Sequence, residues 1–101
     1  MRQDRLLEIV GRIVQRPQTW NQEVYHERTE CGTAHCVAGH AQVDAGDFNP
    51  ANWHMSLRTT WSSAVRYLDL NDSEAGYIFD PDRSLEELIE VAVTGKVPEV
   101  W

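Results

Sequence analysis

The segment CGTAHCVAGHAQVDAG, residues 31–46, most restricts what this chain can fold into. Its side chains at Gly32, Ala34, Ala38, Gly39, Ala41 and Ala45 are small. A helix built from them has a slim face that can lie close against another backbone. Thr33 is a good N-cap, because its hydroxyl can accept an otherwise unpaired backbone N–H two or three residues on. Gly46 supplies the left-handed stop. The spacing therefore predicts a helix running from Ala34 to Gly46, with Ala34, Val37, Ala38, Ala41 and Ala45 on one face and Gly39 beside it. It is expected at the centre of the fold.

The other elements follow from periodicity and punctuation. Leu6, Leu7, Ile9, Val10, Ile13 and Val14 line one broad face of a first helix, which Pro17 ends near Arg16. Gly11 weakens that helix a little and leaves room for a close neighbour. PQTWNQEVYHERTE has no clear period and is expected as an ordered loop anchored by Trp20. Beyond Gly46, Asn49-Pro50 marks a turn with Phe48 and Trp53 as anchors. Leu57, Trp61, Ala64, Val65 and Leu68 then step by three and four along a third helix. Asn71 or Asp72 caps a short helix presenting Tyr77, Ile78 and Phe79, and Pro81 breaks it. Ser84 and Glu87 form a capping box that opens a last helix, with Leu85, Leu88, Ile89 and Ala92 inward and Gly95 as its stop. The expectation is one all-α domain over 1–101, four to five short helices around the small-residue central one.

At 101 residues the chain has room for a single core. The net charge is −7, and it is unevenly placed: +1 over 1–28 and −8 over 29–101. Such a domain repels phosphate, so no nucleic-acid partner is expected. No apolar run of about eighteen residues offers a membrane span. Only two cysteines, close together, do not make a secreted disulfide framework, and a cytoplasmic protein is expected. Monomer and homodimer both remain open.

Cys31, His35, Cys36 and His40 cluster in the central segment, and three readings compete. As metal ligands, Cys31, Cys36 and His40 could hold a structural zinc, with His26, His35 or His54 as a fourth ligand; the spacing matches no common finger or ribbon. As a nucleophile, Cys36 in a first helical turn would need His26 or His54 as base. As packing, Cys36 is a small buried apolar residue and the histidines are partly exposed. Packing explains most of the letters, so no cofactor is expected and zinc is the alternative. Twelve-residue loops beginning at Asp69 and Asp80 lack the glycine and terminal glutamate of a calcium-binding EF-hand.

PQTWNQ, CGTAHCVAGHA and AVRYLDLNDSEAGYIFDPDRSLEELIE together resemble a group of small uncharacterised proteins of actinobacteria and their bacteriophages. The resemblance spans about residues 5 to 92, and the matching positions include Trp20, Asn21, Gln22, Cys31, Gly32, Thr33, Cys36, Ala38, Gly39 and Ala41. Asp69 stands where the group usually has glycine. The resemblance implies no activity; it suggests an accessory role in an infected cell, in the host cytoplasm if the chain is phage-encoded. The expected function is a non-catalytic binding module acting on a host or phage protein through an acidic or aromatic surface. Trp20, Asn21, Gln22, Asp80, Asp82 and Glu86 are its candidate contact residues. The alternatives are a zinc-stabilised domain and a Cys36-dependent enzyme.

Overall fold

A computed structural model describes residues 1–30, 32–51 and 59–98. Among these residues are five α-helices: α1 (Gln3–Gln15), α2 (Val37–Asp44), α3 (Thr60–Leu68), α4 (Asp72–Ile78) and α5 (Leu85–Thr94). Between α1 and α2 lies a small antiparallel hairpin, β1 (Glu27–Thr29) with β2 (Gly32–Ala34), so the fold is mostly helical rather than purely all-α. Leu6, Ile9 and Ile13 of α1 meet Val37, Ala38 and Ala41 of α2, Ala64 and Leu68 of α3, and Leu88 and Ala92 of α5 in one core. No described helix is long and apolar enough to cross a membrane.

The central helix is where expected but starts later. Thr33 does not cap it. Thr33 and Ala34 are in β2, paired with Arg28 and Glu27. The backbone of His35 is held extended by Thr19 and Asn21, and Cys36 N–H by the carbonyl of Val24. With those groups already bonded sideways, helical geometry begins only at Val37. Cys36 becomes the cap, its sulfur accepting the N–H of Gly39 at 3.4 Å. Thr29 faces Gly32, whose φ of +128° is open to glycine and strained for other residues. Once formed, α2 is buried on every side, from Val37 to Gln42. It packs mainly on α3 and also touches α1.

Capping of α4 and α5 follows the sequence. Asn71 and Glu74 close a capping box on α4, and Ser84 with Glu87 another on α5. Thr59 caps α3, and Gly95 ends α5 at φ 72°. Asp69 ends α3 in the left-handed conformation, φ 53°, so the turn keeps the shape a glycine would give it.

The apolar stripes are wider than the core uses. Leu7 and Val14 of α1 are 44% and 50% exposed, and Ile89 of α5 is 36% exposed, although their spacing predicts burial. Val91 takes the inward place on α5. The start of α1 meets the end of α5, where the side-chain amide of Gln3 donates to the carbonyls of Ala92 and Val93 at 3.0 and 2.9 Å. Leu57, Trp53, His54 and Trp101 lie outside the described residues.

Candidate functional site

The histidines form the polar heart of the molecule. His35 and His40 are buried, not partly exposed, at 4% and 5% of their free surface. His26 Nδ1 lies 2.7 Å from His35 Nδ1, and His26 Nε2 lies 2.7 Å from Gln42 Oε1. With the Gln42 oxygen as acceptor, His26 carries its proton on Nε2. Its Nδ1 must then accept from His35 Nδ1–H, which leaves His35 Nε2 to accept from the Thr33 hydroxyl at 3.0 Å. The Thr60 hydroxyl donates to the same Gln42 oxygen at 2.9 Å. One chain of bonds thus ties β2, the loop before β1, α2 and α3 together. His40 Nε2 donates to the carbonyl of Thr19 at 2.9 Å, adding the turn after α1. Phe48 stacks flat on His26 at 3.6 Å.

Burial sets the charge state of this cluster. It holds His35 at about 4, helped by the neighbouring His40 and His26. It holds His40 at about 4 as well, with Arg12 adding to the effect. His26 is lowered for the same reason. All three are therefore neutral near pH 7, as the tautomer chain requires. Arg12 is turned onto Asp44 at 2.9 Å beside a cavity of about 290 Å³ that His35 and His40 also line.

Gly39 explains why the central segment is so slim. A Cβ there would overlap the carbonyl oxygen of Tyr25 and crowd the Cβ of His35. The loop before β1 crosses α2 in direct backbone contact, and that crossing places His26 against His35.

Cys36 is buried, and burial pushes its thiol up from the ordinary value. The Gly39 N–H that its sulfur accepts favours the thiolate, but burial outweighs it and keeps the thiol protonated near pH 7. Cys31 lies outside the described residues. Among the described residues no three His, Cys, Asp or Glu side chains converge as a metal site needs. The side chains of Cys36 and His40 make separate bonds, one to Gly39 and the other to Thr19.

The candidate contact residues divide into two groups. The indole N–H of Trp20 donates to Gln22 Oε1 at 3.0 Å, and the Gln22 amide donates to the carbonyls of Ile78 and Asp80 at 2.9 and 3.0 Å. Gln22 is buried, so this pair is a clamp that fastens the loop to the end of α4. Asn21 accepts the N–H of Glu23, and Asp80 accepts that of Asp82 while facing Arg83 at 3.5 Å. Asp82 and Glu86 project into solvent. Glu86 is on α5, apart from the clamp.

Part of the apolar stripe that the sequence places inward is open instead. Leu7, Gly11 and Val14 of α1 and Ile89, Ala92 and Val93 of α5 line a furrow of about 430 Å³. Val93 is 65% exposed. The available signal was the width of the α1 stripe: six apolar positions in nine residues exceed what one side of a short helix can bury.

No family model, curated protein or solved structure matches the chain.

Proposed function

We propose that this chain is a non-catalytic binding module that docks on a cellular protein through the α1–α5 face. The observation that carries the reading is the exposure of Leu7, Val14, Ile89 and Val93 along one furrow. Single exposed apolar residues need no explanation, but a contiguous apolar strip on two adjacent helices marks an interaction surface. The polar residues of the central segment support this by what they already do. Their hydrogen bonds close on one another and on the backbone, so they serve as scaffold. The resemblance of CGTAHCVAGHA to small uncharacterised proteins of actinobacteria and their phages supports a partner in a bacterial cell.

The test compares proteins retained from bacterial lysate by the wild type and by Leu7→Glu/Val93→Glu, with Asp82→Asn as a surface control and circular dichroism to verify folding. The reading expects a saturable partner held by wild type and control and lost by the double variant. Equal retention by all three, or no retained protein, contradicts it.

A further inference from the structure

The α1–α5 furrow has a chemical character that restricts its occupant. Charged groups on the two helices mostly face other parts of the molecule. Arg5 donates to the carbonyl of Tyr67, Arg12 pairs with Asp44, Asp4 with Arg2, and Glu87 with Arg83. Among the described residues, three exposed carboxylates of these two helices have no ion-pair partner: Glu8 on α1, and Glu86 and Glu90 on α5. Helical spacing sets Glu8 three residues before Gly11 and Glu86 three before Ile89, beside the strip, whereas Glu90 lines a separate cavity with Tyr77, Glu87 and Lys96. The furrow is thus an apolar floor with one carboxylate beside each wall, Glu8 on α1 and Glu86 on α5.

Its floor is also open. Gly11 is exposed, and a Cβ there would meet nothing within 4 Å. A mid-helix glycine destabilises a helix relative to alanine, and no contact among the described residues requires it here. An external backbone lying close to α1 would. We infer that the furrow receives a basic amphipathic helix of a partner protein, its apolar face on Leu7, Val14, Ile89 and Val93 and its lysines or arginines toward Glu8 and Glu86. This is the helix-in-groove mode of recognition. A second copy of this chain fits less well, because a symmetric contact would bring Glu8 and Glu86 of each copy against those of the other. Since α1 has 13 residues, a partner helix of about four turns spans the furrow.

The inference rests on the docking role proposed above, and one experiment separates them. Isotope-labelled protein is titrated, with amide chemical shifts followed, using two synthetic helical peptides of identical apolar face. One carries lysine and arginine on its polar face, the other glutamate. The basic peptide should shift amides of α1 and α5, bind at least tenfold more tightly than the acidic one, and weaken as salt is raised. Glu8→Lys/Glu86→Lys should reverse the preference. Equal binding of both peptides on α1 and α5 would overturn the basic occupant and leave the docking face standing. A dimer in sedimentation that Val93→Gln dissolves would make the second copy the occupant, and overturn the inference. No shift on α1 and α5 from either peptide, with the protein monomeric, would overturn both the inference and the docking role.

Discussion

His35 shows how one residue can be both reactive in composition and inert in place. Its two ring nitrogens are engaged by His26 and Thr33, and the surrounding apolar packing disfavours its cation. The consequence is a pH dependence of definite sign. In the unfolded chain His35 and His40 take up protons near 6.5, whereas in the fold they do so near 4. Between those values the unfolded chain binds more protons, so stability falls as pH drops. Above 6.5 their contribution is fully present; below 4 it is gone. Each group contributes roughly 3 kcal/mol over that window. Urea melts at stepped pH should show flat stability above pH 7 and a steep loss from 6.5 to 4. Unchanged stability down to pH 4.5 would mean these imidazoles are not buried as described.

At the scale of elements, the sequence was most legible where local chemistry decides. The capping boxes of α4 and α5, the glycine end of α5 and the small-residue central helix all stand as their letters suggest. What was illegible depends on partners far along the chain. Thr33 has the propensity of an N-cap, but the backbone bonds of His35 and Cys36 to Thr19, Asn21 and Val24 extend the chain and make Gly32–Ala34 a hairpin arm. The histidine network was likewise hidden, since His26 reaches His35 only because Gly39 lets the Tyr25 backbone cross α2. Gly39→Ala should therefore cost 3 kcal/mol or more, about the upper end for overpacking, read as a large drop in melting temperature. Gly11→Ala, on the open side of α1, should instead stabilise by about 0.5–1 kcal/mol. Equal effects at the two glycines would contradict the different surroundings assigned to them.

The whole molecule divides its apolar residues between two uses. One set, from Leu6 and Ile9 to Leu88 and Ala92, is the core. The other, Leu7, Val14, Ile89 and Val93, has the same helical period and remains at the surface. Periodicity alone cannot separate them, because a buried face and a docking face have the same pattern in one chain. Charge placement does help: the excess of acid in residues 29–101 includes Glu86, which helical spacing sets beside the furrow.

The most direct measurement is the equilibrium stability of two variants by chemical denaturation, Leu7→Gln/Val93→Gln and Gln42→Ala. Gln42 is fully buried and accepts bonds from His26 and Thr60, so its loss leaves buried donors unpaired and should cost about 2–4 kcal/mol. The double surface variant should stay within about 1 kcal/mol of wild type. A double variant as destabilised as Gln42→Ala would show that the α1–α5 strip belongs to the core, and the docking account would fail.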